Sequence, residues 1–245
     1  MGETRIGTAG WRYPEWRGDF YPRGLQQRLE LEFFSRKLNS VEINGSFYGL
    51  RKPSDYRGWA DRTPDDFLFA VKAHKIVTHE RRLRDVADDV AEFFDSGLLD
   101  LGPKLGPVLW QLPPWLPFKR ARLAEFLELL PGPPVRHALE VRHPSFDTPE
   151  LLELLREHEV ALVLSDSPPG RFPVLDHDTT DFRYVRLHGD EELYVSDYSP
   201  EALDGWAKRI REWDTDVYVY FDNTMHGAAP HNALALAERL AVPVG

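Results

Sequence analysis

An α/β class fold, a TIM-like (β/α)8 barrel, is what this sequence predicts, and three observations predict it. Short β-rich runs alternate with amphipathic helical stretches from one end of the chain to the other. Eight such runs with a helix in nearly every gap imply parallel strands joined by right-handed crossovers. The length of 245 residues suits one barrel, and neither a linker nor an internal repeat divides it, so residues 1–245 read as a single barrel domain.

The strands are expected over 5–9, 40–43, 67–72, 108–112, 137–141, 161–164, 183–187 and 217–221. Helices are expected over 26–38, 55–62, 85–97, 119–130, 149–157, 200–213 and about 229–240. In the first of these, Leu29, Phe33, Phe34 and Leu38 fall on one stripe at the 3.6-residue period, with Lys37 at its edge. Asp147 or Thr148 before Pro149, and Ser199 before Pro200, are cap-then-proline helix starts. The gap between the sixth and seventh strands holds Pro168, Pro169, Gly170 and Pro173 and reads as an irregular loop in place of a helix. The proline-dense stretches 112–117 and 131–134 read as turns, and Leu112–Pro113 is the bond where a cis peptide is considered.

Composition narrows the function classes. An apolar fraction of 42% supports a packed core and opposes disorder. The absence of cysteine removes disulfides, thiolate metal sites and a cysteine nucleophile together. No apolar run approaches the roughly 18 residues of a membrane helix, and the first residues lack the layout of a secretory signal, so a cytoplasmic chain without membrane contact is expected. Asn44-Gly45-Ser46 matches a glycosylation sequon, which carries no weight without export. The net charge of −10 weighs against general nucleic-acid binding.

Strand parity locates the candidate chemistry, because successive side chains of a strand face opposite sides. Tyr184, Arg186 and His188 share one parity against Val185 and Leu187. Tyr218, Tyr220 and Asp222 do so against Val217, Val219 and Phe221, and Ala138, Glu140 and Arg142 against Leu139 and Val141. Glu42 and Asn44, Ala70, Lys72 and His74, and Gln111 occupy the same inward parity of the second, third and fourth strands, and Asp166 is assigned to it opposite Val163 on the sixth. The polar members lie at or just beyond the C-terminal strand ends, where barrel enzymes keep their chemistry. An ion-pair network that merely closes the barrel top is the competing structural account.

These residues also carry a resemblance. Gly7-Thr8-Ala9-Gly10-Trp11 with Tyr13, Trp16 and Phe20-Tyr21-Pro22, then Glu42-Ile43-Asn44 with Ser46-Phe47-Tyr48, resemble the N-terminal signature of the YecE-like family. Lys72 with Thr78-His79, Gln111-Leu112-Pro113-Pro114, Glu140-Val141-Arg142-His143-Pro144, Arg186-Leu187-His188-Gly189 and Tyr220-Phe221-Asp222-Asn223-Thr224 continue the match in order. The resemblance implies a TIM-like barrel and brings no reaction with it, the family being one of uncharacterised activity. Where members often carry a basic residue after His-Gly, this chain has Asp190, which weakens an anion-gripping role for that loop.

The expected chemistry is acid–base catalysis on a small anionic or sugar-like substrate at the barrel mouth. Glu42, Glu140, His188 and Asp222 are the candidate catalytic residues, with the two glutamates as acid and base and His188 as a proton shuttle. Trp11, Asn44, Tyr48, Lys72, Gln111, Arg142, Arg186 and Asn223 are the candidate substrate-binding residues, the two arginines as a clamp on carboxylate or phosphate. The carboxylates and imidazole admit a divalent metal, but the interleaved Lys72, Arg142 and Arg186 repel one, so no metal ligand is assigned; no nucleotide-cofactor motif is present. Two other readings are a scaffold without activity and a nucleic-acid or nucleotide binder, including a metal-dependent nuclease-like barrel. The binder would use the loop aromatics Trp11, Tyr13, Trp16, Phe47, Tyr48 and Trp115 and the basic run Lys75, His79, Arg81, Arg82 and Arg84. The chain is expected to be a monomer or weak dimer.

Overall fold

The computed structural model describes residues 2–243. Its eight strands are β1 (Thr4–Thr8), β2 (Ser40–Ile43), β3 (Leu68–Lys72), β4 (Leu105–Gln111), β5 (His137–Glu140), β6 (Val160–Asp166), β7 (Phe182–Leu187) and β8 (Asp216–Phe221). All the pairings are parallel, in the order β1-β8-β7-β6-β5-β4-β3-β2. The helices are α1 (Glu30–Ser35), α2 (Gly45–Tyr48), α3 (Pro53–Ala60), α4 (Ala87–Asp95), α5 (Arg120–Leu127), α6 (Pro149–Glu157), α7 (Pro200–Glu212) and α8 (Ala228–Leu240). An irregular loop over 167–181 joins β6 to β7, as its prolines and glycine imply.

The seam between β1 and β2 closes the sheet into a nearly complete barrel. Near the C-terminal end the Gly10 amide donates to the Glu42 carbonyl at 2.8 Å. Deeper in the seam a side chain substitutes for the missing ladder: Asn39 Oδ1 accepts from the Ile6 amide at 2.8 Å and Asn39 Nδ2 donates to the Thr4 carbonyl at 3.0 Å. Gly7 sits where the backbones come closest, since a Cβ there would lie 2.0 Å from the Ser40 carbonyl oxygen.

Two apolar layers follow from strand parity. Outward residues pack beneath the helices: α6 buries Leu151, Leu154 and Leu155, and α7 buries Leu203, Trp206, Ala207 and Ile210. Ser199 caps α7 by accepting from the Ala202 amide at 3.1 Å. The inward residues Ala70, Leu109, Ala138, Ala161, Val163, Phe182, Tyr184, Tyr218 and Tyr220 form a separate core inside the barrel. Large tyrosines from β7 and β8 fill the space that alanines of β3, β5 and β6 leave, so the lumen is a plugged core and carries no pore.

Several expectations need correction. Ala161 and Val163 both face the lumen, which makes Ser165 the next inward residue and turns Asp166 outward, where it accepts from the Tyr198 hydroxyl at 3.0 Å. The helix expected over 26–38 shrinks to a 3-10 turn at Gln27–Leu29 followed by α1. The cis peptide bond lies at Pro133–Pro134, and Leu112–Pro113 is not cis. Among the described residues no helix is long and apolar enough to cross a membrane.

Candidate active site at the barrel mouth

A charged floor lies across the top of the lumen core. Arg186, fully buried on β7, is bound by three carboxylates. Its Nε donates to Glu42 Oε2 at 3.0 Å and its Nη2 to Glu42 Oε1 at 2.8 Å, a two-point contact with β2 across the barrel. Its Nη1 donates to Glu140 Oε2 at 2.7 Å, and Nη2 lies 3.1 Å from Asp222 Oδ2. Tyr184 completes the Glu42 coordination by donating to Oε2 at 2.7 Å. Burial alone would raise the Glu140 carboxyl, but Arg142 and then Arg186 override it and hold it well below the usual carboxylate range. Asp222 is held low in the same way by Arg186, by the His188 hydrogen bond and by Lys72.

The sequence reading assigned Arg186 to a ligand clamp. The structure shows its donors facing protein carboxylates beneath the cavity instead. His188 is sealed in the same layer. Its Nδ1 is 3.0 Å from Asp222 Oδ2, its Nε2 is 3.5 Å from Glu140 Oε1, and Phe172 and Tyr194 cover the ring edge-on.

Above the floor opens a cavity of about 630 Å³ lined by Tyr13, Asn44, Phe47, Tyr48, Lys72, His79, Gln111, Pro113, Pro114, Trp115, Arg142, Tyr194, Asp222, Thr224 and Met225. Each strand end delivers its residue by the alternation that fills the lumen below: Lys72 follows Ala70 by two, Gln111 follows Leu109, and Asp222 follows Tyr220. The Lys72 carbonyl is fixed by the Ser46 hydroxyl at 2.7 Å, and its ammonium stands 4.4 Å from the Phe47 ring centroid. Among the described residues it has no hydrogen-bond or ion-pair partner. Burial, with Arg186 adding to it, pulls Lys72 down to about 8, against the opposing pull of Asp222, Glu42 and Glu140.

Arg142 donates from Nε to Glu140 Oε1 at 2.7 Å and from Nη1 to the Tyr194 hydroxyl at 2.9 Å, with Phe172 stacked at 4.3 Å. His79 is brought in by a π-helical turn over Ile76–Glu80; burial, reinforced by Lys72 and Arg142, pushes it down to about 4, so the ring is neutral at pH 7. Tyr48 and Trp115, 73% and 51% exposed, form the rim, and Arg82 lies over Trp115 at 4.9 Å.

Asn44, Tyr48, Lys72, Gln111, Arg142 and Asp222 are therefore brought together on the cavity wall, and Glu42, Glu140, Arg186 and His188 lie directly beneath it. Trp11 and Asn223 are placed elsewhere. Trp11 packs edge-on against Trp59 in a smaller neighbouring cavity of about 300 Å³. Asn223 is buried and donates to the Ser196 carbonyl and to Asn232 Oδ1, both at 2.9 Å, which fixes the loop after β8. His74, expected on the inward face, does not line the cavity, and His79 does. Tyr194 had no sequence signal, because it comes from an irregular segment where no periodicity marks a face. Two of the five members of the basic run are spent on ion pairs, Lys75 with Glu80 at 3.0 Å and Arg81 with Asp89 at 2.8 Å. Among the described residues no group of three or more His, Asp or Glu side chains is arranged to hold a metal ion.

The family model described as "Protein of unknown function DUF72" matches residues 5–244. This chain belongs to the DUF72 family. UPF0759 protein YecE of Escherichia coli K12 is 34% identical over 261 residues, covering 96% of this chain and 92% of the relative. UPF0759 protein YunF of Bacillus subtilis is 28% identical over 271 residues, covering 96% and 94%. The crystal structure of a DUF72 family protein from Thermotoga maritima superposes with a TM-score of 0.88 at 29% identity, covering 98% of this chain and 99% of that one. The resemblance read from the motifs is thus the family membership, and the barrel is the fold of this DUF72 chain.

Proposed function

We propose that this DUF72 protein is an enzyme that binds a small anionic or sugar-like molecule at the barrel mouth and performs acid–base chemistry on it. One observation carries the reading: a half-buried ammonium, Lys72, faces a cavity of ligand size without a protein partner among the described residues. A partly desolvated charge without a counter-ion is costly, and an anionic ligand would relieve that cost.

The roles follow from the layers. Glu42 and Glu140 balance Arg186 and Arg142 from below, so the positive charge offered upward to a ligand is that of Lys72 and of the remaining Arg142 edge, with the Asp222 carboxylate beside it. Asn44 and Gln111 supply hydrogen bonds, and Phe47 and Trp115 supply apolar faces for a sugar ring. Lys72 and Asp222 are the acid–base pair, because both reach the cavity, whereas His188 is sealed from it and tunes Asp222. The partner is a small molecule, and we place the chain in the cytoplasm as a monomer or weak dimer, in keeping with its freedom from cysteine.

Ligand-observed NMR tests this with hydroxy acids, sugar phosphates and neutral sugars. Saturation transfer is expected to anionic members of the panel, weakened at least tenfold in Lys72→Met and unchanged in Trp11→Phe, which lies outside the cavity. Transfer to none of them would overturn the proposal.

A further inference from the structure

We infer that Lys72 is a Schiff-base nucleophile, and that the ligands of this mouth are aldehydes or ketones that carry an anionic group. The inference rests on the reading that the mouth cavity is the substrate site, and it names the substrate class of that site.

Two lysines are withdrawn from bulk water in very different ways. Lys104 donates to the Ala60 carbonyl at 2.6 Å, the Thr63 carbonyl at 2.8 Å and the Thr63 hydroxyl at 3.4 Å, so its ammonium is locked in a structural role. Lys72 has no such acceptor among the described residues, only the face of Phe47 and the open cavity. An amine becomes a nucleophile when it can shed its proton near neutral pH, and desolvation beside another cation is how a protein achieves that. The groups around Lys72 come from several elements: Arg186 from β7, Glu42 from β2, Glu140 from β5, Asp222 after β8, with Arg142 and His79 on the same wall. Their combined effect, with burial dominant, brings the amine to about 8, so roughly a tenth is neutral at pH 7.

The chemistry balances without an outside redox partner. Neutral Lys72 Nζ attacks the carbonyl carbon, and the C=O π pair moves to oxygen. Two nitrogen protons then pass to that oxygen, which leaves as water while the C=N bond forms. Tyr194 is placed to relay a proton to the departing oxygen: its hydroxyl accepts from Arg142 Nη1 at 2.9 Å and keeps its own proton to give. Arg142 is then the partner for the anionic group.

The test is reductive trapping. The full chain is incubated at pH 8 with pyruvate or glyoxylate and sodium cyanoborohydride, and the modified lysines are identified by peptide mass spectrometry. Modification of Lys72 is expected at least tenfold above that of Lys104 or the exposed Lys208, reduced by an excess of lactate, which has the charge without the carbonyl. Lys72→Arg keeps a cation over Phe47 and loses the adduct. If lactate or a sugar phosphate binds at the mouth by NMR while Lys72 is modified no faster than Lys208, the imine inference falls and the acid–base reading stands. If nothing binds and nothing is trapped, both fall.

Discussion

Arg186 shows how one side chain can organise a charged layer from beneath a cavity. Its guanidinium meets the carboxylates of Glu42, Glu140 and Asp222, from three different parts of the barrel; Arg186, Glu42 and Glu140 are closed to water, and Asp222 is open to the cavity on its upper side. Taking such charges out of water is repaid only when geometry is good and every lone pair finds a partner. Removing one partner leaves the others buried and uncompensated, so Arg186→Met should destabilise the fold by about 3–5 kcal/mol. Denaturant unfolding measures this, and a loss under about 1 kcal/mol would mean that water reaches the layer. His137 is a second buried group with a defined state: Trp110 Nε1 donates to its Nδ1 at 3.2 Å, and its Nε2 donates to the Pro131 carbonyl at 2.8 Å. That arrangement holds only the neutral ring, in line with burial pushing it down to about 4.

At the scale of elements, the barrel depends on a seam that is not a full strand pair. Asn39 supplies the β1–β2 hydrogen bonds that the sheet lacks there, and Asn39→Ala leaves the buried Ile6 amide without an acceptor. A cost of about 1–3 kcal/mol is expected, with faster amide exchange at Ile6 as the site-specific readout. Strand parity was legible in the sequence for β3, β5, β7 and β8 because their polar tips stand against apolar outward neighbours. It misled at β6, where Ala161 and Val163 face the lumen and both faces of the strand are apolar, so alternation marks no side. The charged residues of the mouth were legible as a set. Their division into a sealed floor and an open wall was not, since depth along the barrel axis depends on register and on loops such as the one carrying Tyr194. His79 was hidden for a similar reason: a π-helical turn aims it inward, and its neighbours read as a surface basic run.

For the whole molecule, these buried groups set a stability profile against pH with three signed parts. His79 and His137, each down at about 4 in the folded chain, bind fewer protons than in the unfolded chain between about 4 and 6.5, so stability falls as pH drops through that range. Glu140 and Asp222 lie below their ordinary range, so their contribution is present above about pH 4 and is lost as acid goes lower. Lys72 lies below its ordinary value, so the unfolded chain holds the extra proton between about 8 and 10.5 and stability gains a rising component there. Thermal unfolding across this range should show the alkaline component in the parent chain and its loss in Lys72→Met. Equal alkaline slopes would place the ammonium in open water.

The chain carries a net charge of −10, yet it turns Lys72 and Arg142 toward the mouth cavity at the strand C-termini and buries Glu42 and Glu140 below. That separation of charge by depth is what the proposed acid–base chemistry at the mouth rests on. Hydrogen exchange between a bound ligand and solvent tests it most directly. In D₂O, pyruvate bound at the mouth should take up deuterium at its methyl carbon, with the rate falling at least tenfold in Lys72→Met and in Asp222→Asn. Saturable binding of pyruvate with no deuterium uptake in the presence of the parent protein would contradict the account.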